Sequence, residues 1–242
     1  MHLSERAAAP PGEVRSCGAS NAALSDFEVD LAVRLLLNLL QQTIQALGVS
    51  NDAGLRGFLR RVLHLCGRFC AWPRFKRELM RGRIVGQLQP VLAARHPPIC
   101  HLHALQILTD LTAEEDYRQW VSQDEMLQVV PPTIGLLRDG DIEQGVCEQA
   151  VRAVKNLALD DVLRDAIMRQ SGVLEALVLA CRADCCVVLQ EQAARALGNI
   201  AMKDSNEERV VEAGAVEALT DLLRASNEGN HALKPPLAYA TA

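Results

Sequence analysis

Rings are scarce in this chain: Phe, Trp and Tyr make up 3% of its 242 residues, although 49% are hydrophobic. A globular enzyme usually builds its core with more rings, whereas an Ala/Leu/Val-rich composition suits helices packed closely on helices. An uninterrupted apolar run is also lacking. The longest stretch, Val29 to Val49, contains Asp30, Arg34, Asn38, Gln41, Gln42 and Gln45. It is not a membrane span; its polar residues fall on one narrow stripe, which predicts a helix buried around most of its circumference. Positive charge is not in excess either, with a net charge of −5 and a pI near 5.7, so general nucleic-acid binding is disfavoured and no DNA partner is expected. Met1 to Ser25 holds no apolar leader core; a cytoplasmic chain is expected, a nuclear one is compatible, and secretion is not. Finally, the chain has no Gly-rich phosphate loop, no His-Glu-x-x-His and no nucleophile elbow. No enzymatic activity, cofactor or metal is expected.

What is present is unevenly placed. Between Arg56 and Arg95 lie ten Lys/Arg and one acid, Glu78, while the remainder carries 15 basic and 29 acidic residues. A solvated helix face is the ordinary explanation; a surface for polyanions such as RNA or acidic lipid headgroups is the functional alternative. Eight cysteines occur, at 17, 66, 70, 100, 147, 181, 185 and 186. They are expected to be reduced, buried small hydrophobes. His96, Cys100, His101 and His103 cluster around Pro97-Pro98, but His101 and His103 fall on different faces of a helix and do not converge on a metal. Trp72 and Trp120 sit in or beside predicted helices, as packing residues.

The strongest signal is self-similarity. CEQAVRAVKNLA (Cys147–Ala158) aligns with QEQAARALGNIA (Gln190–Ala201), pairing Gln149 with Gln192, Arg152 with Arg195 and Asn156 with Asn199 at an offset of 43 residues. GVLEAL from Gly172 aligns with GAVEAL from Gly214 at an offset of 42. Fainter copies of the first motif lie at His101–Thr112 and Val62–Cys70, and of the second at Val130–Arg138 and Val85–Leu92. The four second-motif copies end at Leu92, Leu137, Cys181 and Leu223. Two motifs thus alternate with one period of 40–47 residues, the period of two- or three-helix solenoid repeats. Ala150, Ala153, Val154, Leu157 and Ala158 form a stripe that a lone repeat cannot bury and stacking can. Gly172 and Gly214 mark corners between helices, where a residue without Cβ is favoured. Arg83 and Gln128 hold that place in the earlier copies, so the corner is expected to be made differently there.

RVVEAGAVEALTDLL (Arg209–Leu223) resembles the first helix, Gly turn and second helix of armadillo repeats, and Gln190–Ala201 resembles their third helix. The resemblance is specific over Gly145 to Ser226 and fainter over Leu55 to Glu143. It implies an all-α fold, a right-handed α-solenoid of armadillo-type three-helix repeats. The expected division is a disordered segment over 1–24 and N-terminal capping helices over 25–71. Repeats follow over 72–112, 113–158 and 159–201, then a partial repeat over 202–226 and a tail over 227–242. Ser25 or Asp26 is expected to cap the first helix and Asn51-Asp52 to open the second.

In armadillo proteins the third helices line a concave face that binds extended peptides. Carried over position by position, the ladder that grips peptide backbone is Arg68, Asp110, Asn156 and Asn199, and the ladder one turn earlier is His64, Gln106, Arg152 and Arg195. The absence of Trp from the second ladder argues against nuclear-signal peptides, and its Arg residues suit acidic ones. The alternative for Asn156 and Asn199 is bonding to the backbone of adjacent helices. The expected function is a protein–protein scaffold; polyanion binding through 56–95 and a chaperone cofactor of the short armadillo type are the alternatives. At the C-terminal end, Val216, Leu219, Leu222 and Leu223 are expected to form an open apolar face, because Pro235-Pro236 interrupts the helix that should cover them. The tail could fold back over that face, but the expected outcomes are that a partner or a second copy of the chain covers it, giving self-association, or that the chain is a shortened form of a longer repeat protein.

Overall fold

The computed structural model describes residues 24–50, 52–115, 123–182 and 186–227. The expectations for the segment before Leu24, for Trp120, Cys17 and Cys185, and for the tail beyond Asn227 lie outside these residues. Among the described residues there are twelve α-helices and no strand. In chain order they are α1 (Asp26–Val49), α2 (Ala53–Cys70), α3 (Pro73–Arg81), α4 (Ile84–Ala93), α5 (Pro98–Thr112) and α6 (Gln123–Arg138). Then come α7 (Gln144–Leu157), α8 (Asp161–Met168), α9 (Val173–Cys181), α10 (Val187–Ala201), α11 (Asp204–Glu212) and α12 (Ala215–Asn227).

Local chemistry starts these helices where the sequence signals them. Ser25 and Glu28 form a reciprocal capping box on α1, Asp52 caps α2, and Asp160 accepts from the amides of Val162 and Leu163 on α8, both at 2.9 Å. Pro73 and Pro98 open α3 and α5, where a missing N–H leaves no bond unmade.

The helices form two layers. α2, α5, α7 and α10 lie side by side in one; α4, α6, α9 and α12 follow one another in the other; α1 packs on α2, α3 and α4. The core lies between the layers. Ala150, Ala153, Val154, Leu157 and Ala158 are all fully buried, as are Ala193, Ala194 and Ala196 of α10. Alanine at these places lets α5, α7 and α10 approach closely. Each fully buried Leu, Ile or Val beside them contributes about 1.5–3 kcal/mol.

Buried polar side chains tie successive elements. Arg164 donates to the Ala158 carbonyl at 2.9 Å and Asn206 to the Ile200 carbonyl at 3.1 Å. Both residues are 5% exposed, and each fastens the start of one helix to the end of the preceding one. Lys76, equally buried, reaches Glu114 at 2.9 Å.

The structure corrects three expectations. First, Arg83 makes the same left-handed corner as glycine, with φ 59° against 75° at Gly172 and 82° at Gly214. Glu125 holds it there: one carboxylate oxygen bonds Arg83 and the other accepts the Gly86 amide at 3.3 Å. Gln128, by contrast, lies inside the continuous α6, which makes no corner at that place. Pro131 and Pro132 also lie within α6 without ending it. Each removes a backbone donor from the interior of the helix.

Second, α1 is not buried around most of its circumference. Val29, Val33, Leu36, Leu37 and Leu40 are buried, but Phe27, Leu31, Leu35 and Leu39 are 73%, 45%, 56% and 42% exposed. Polar residues read as the solvent stripe share that outer side with an apolar ridge. Third, the expected open face of α12 is largely closed. Leu219 and Leu222 are buried, on a helix that packs against α9 and α11; of the four, only Val216 is exposed, and Leu223 is partly covered.

Candidate functional site

The layer of α2, α5, α7 and α10 presents a polar outer surface. His64, Gly67 and Arg68 from α2, His103, Gln106, Thr109 and Asp110 from α5, and Gln149 and Arg152 from α7 surround one cavity of about 330 Å³. Helical spacing explains the set: residues three and four apart on each helix share a face, and three parallel helices place those faces in register.

Five sequence-predicted residues, His64, Arg68, Gln106, Asp110 and Arg152, therefore meet in one place. The other three do not line it. Arg195 lies one helix further along, on α10, paired with Glu191 at 2.8 Å. Asn156 is buried, and its amide nitrogen donates to the Thr109 carbonyl at 3.2 Å and the Thr112 hydroxyl at 3.3 Å. Asn199 donates to the Lys155 carbonyl at 2.9 Å. The reading of Asn156 and Asn199 as open peptide-gripping groups is corrected accordingly: their amide donors bind the backbone of the neighbouring helix, the alternative left open by the sequence.

Position-by-position carry-over missed His103, Gln149, Lys155 and Gln192. The His64 and His103 rings meet edge-on, with centroids 5.1 Å apart. His103 Nδ1 lies 3.1 Å from Gln106 Oε1, and the Thr109 hydroxyl is shared between the Gln106 carbonyl and Gln149. Lys155 donates to Gln192 at 2.8 Å. The repeated Gln149/Gln192 pair was a usable signal, since the two align and neither is needed in the core.

The electrostatics of this face are frustrated. Crowding by adjacent helices raises the Asp110 carboxyl above its ordinary range, opposed by Lys76 and Arg152. Burial likewise depresses Lys155, assisted by repulsion from Arg195 and Arg152 and opposed by Glu191. Counting Arg68, Arg152, Lys155 and Arg195 against Asp110, Glu148 and Glu191, bases outnumber acids on the layer by one.

Burial pushes the Cys66, Cys70 and Cys181 thiols up to about 12, so they are not thiolates at neutral pH. Cys66, Cys70, Cys100, Cys181 and Cys186 carry free thiols. His101 is buried with Nε2 2.9 Å from the Ala94 carbonyl, while His103 faces the cavity, so the two diverge. Trp72 is half exposed and leans on Phe69 and Phe75. The Arg56–Arg95 segment is spread over α2, α3 and α4, and Arg74, Lys76, Arg81 and Arg83 pair with Asp26, Glu114, Glu78 and Glu125. Among the described residues no helix is long and apolar enough to cross a membrane.

No known family profile matches the sequence, and no curated protein does. Solved structures match in fold. Computationally designed armadillo repeat proteins for modular peptide recognition superpose with a TM-score of 0.63, at 19% identity over 89% of this chain and 93% of theirs. A designed armadillo repeat protein in complex with the peptide (KR)4 gives 0.62, at 17% identity over 90% and 94%. An engineered protein gives 0.65, at 22% identity over 86% and 77%.

Proposed function

We propose that this chain, an all-α solenoid of armadillo type, is a binding scaffold whose α2–α5–α7–α10 face holds an extended, acidic segment of a partner protein. The observation that carries the reading is the cavity where His64, Arg68, Gln106, Asp110 and Arg152 converge. Its side chains point outward rather than into the core, and two of them are guanidinium groups. Guanidinium grips carboxylates with two parallel hydrogen bonds. The similar designed protein that binds (KR)4 supports the use of this fold for extended peptides, while the excess of bases here favours the opposite charge. The asparagines contribute indirectly, by fixing the spacing between helices. The free, buried thiols of Cys66, Cys70, Cys100 and Cys181 suit a reducing compartment, the cytoplasm or nucleus.

The test is fluorescence anisotropy with a short Glu/Asp-rich peptide and with (KR)4. The acidic peptide should bind more tightly, and Arg152→Ala with Arg68→Ala should weaken it by roughly tenfold or more at unchanged helicity. Preference for (KR)4, or indifference to both substitutions, overturns the reading. Affinity purification with the native chain and with the Arg68/Arg152 double variant would then identify the partner as the protein lost from the second sample.

A further inference from the structure

The apolar ridge on α1 has no function in the groove and no partner in the described fold. Phe27, Leu31, Leu35 and Leu39 recur every fourth residue, so they form a single i, i+4 ridge. Their exposure of 42–73% leaves roughly 400 Å² of contiguous apolar surface, the size of patch that marks interaction sites on soluble proteins. The ridge is held rigidly. Ser25 and Glu28 cap its helix, and Arg74 of α3 clamps the helix start by donating to the Leu24 carbonyl at 2.9 Å and pairing with Asp26.

We propose that a second copy of this chain covers this ridge, the two α1 helices packing antiparallel about a two-fold axis beside residue 33. Three observations select a copy over an unrelated partner. The ridge is symmetric about that point: Phe27 meets Leu39 of the second copy and Leu31 meets its Leu35, so the surface is complementary to itself. Identical i, i+4 ridges interlock at one of the commonest helix crossings, about −50°. The charges beside the ridge also fit a two-fold. Arg34 and Asp30 bond each other within one helix at 2.9 Å, with Arg34 77% exposed. At 1.5 Å rise per residue, Arg34 lies about 3 Å along the axis from Asp30 of the second copy, against about 6 Å from its own. Along that edge Asp26 is paired with Arg74 and Asp30 with Arg34, so neither acid faces its copy uncompensated. With flanking polar residues the contact reaches about 1,000 Å², the lower bound for a specific interface, which points to micromolar self-association.

Sedimentation velocity of the full chain over roughly 1–100 µM tests this. The expected result is a dimer that dissociates on dilution. Leu31→Glu with Leu35→Glu should raise the dissociation constant more than tenfold while helicity and Tm stay unchanged. Arg34→Glu should weaken the dimer, and adding Asp30→Lys should restore it. A monomer at every concentration overturns the proposal. So does a dimer indifferent to Leu31 and Leu35, which would place the contact elsewhere. A double variant with lowered Tm and unchanged mass would mean that the ridge is covered from within one chain, and overturns it as well.

Discussion

The early and late parts of the solenoid turn the same corner with different residues. At Gly172 and Gly214 the left-handed turn carries no side-chain penalty, and the guanidinium of the preceding repeat lies over the vacant Cβ position: Arg138 over Gly172 and Arg182 over Gly214. At Arg83 the same φ carries a Cβ, at a cost of about 1–2 kcal/mol. The buried Glu125 carboxylate, from α6, secures it. Between them α6 dispenses with the corner and runs straight through. The corner is thus imposed by the stacking of helices. Glycine is one way to satisfy it, and an ion pair from the neighbouring element is another.

The sharpest way to break this comparison is to place a branched side chain at the late corners. A Cβ on Gly172 would stand 2.8 Å from Arg138 Nε, whereas one on Gly214 meets Arg182 at an ordinary 3.7 Å. The left-handed φ should make Gly172→Val and Gly214→Val each cost about 2 kcal/mol in urea unfolding, with about 0.5 kcal/mol more at Gly172 for swinging the flexible Arg138 guanidinium aside. Equal losses would mean that backbone strain alone matters. At the early corner glycine is the disfavoured residue. Arg83→Gly relieves the strained φ but takes the guanidinium from the buried Glu125 carboxylate, and should destabilise on balance. Adding Glu125→Gln should recover most of that loss; if it does not, the ion pair is not what holds the corner.

The asparagine ties give a smaller contrast. Asn156→Ala removes two hydrogen bonds from a buried site and should lower stability by about 1.5 kcal/mol, while Asn199→Ala, half-buried with one bond, should cost about 0.7 kcal/mol. Peptide affinity measured well below the melting temperature should change little in either variant. The smallest effect belongs to Asp110. Its folded pKa is raised, so the ionised form opposes folding above that pKa and the contribution vanishes below the ordinary carboxylate pKa. Asp110→Asn should therefore raise stability at neutral pH by about 0.3 kcal/mol, given solvent screening at the cavity mouth, and have no effect in acid. A gain that persists in acid would rule out the charge as its cause.

These contrasts also show what a sequence discloses. The period was legible because Gly172, Gly214, Asn156 and Asn199 do the same physical work in each copy and are therefore the same residue. Where another residue does that work, as at Arg83, the word is lost although the geometry persists. Most of the cavity was legible for a similar reason: aligned positions on parallel helices must face the same way. The destination of the asparagine amides was not, since a carbonyl of a neighbouring helix and a carbonyl of a ligand ask for the same donor. Nor was the outer side of α1, where Arg34, Asn38 and Gln42 alternate with Leu31, Leu35 and Leu39 and periodicity alone does not say which set is covered.

The asparagine ties have a direction. In both, the donor belongs to the later helix and the acceptor carbonyl to the earlier one: Asn156 reaches back to Thr109, and Asn199 back to Lys155. Asn206 and Arg164 likewise reach back, to Ile200 and Ala158. A chain leaving the ribosome N-terminus first therefore meets each acceptor already in place when its donor emerges. For these bonds the earlier helix waits for nothing, and the later one finds its anchor at once. The Arg83 corner is the opposite case, since its partner Glu125 emerges only with α6, so that corner is secured only once α6 is made.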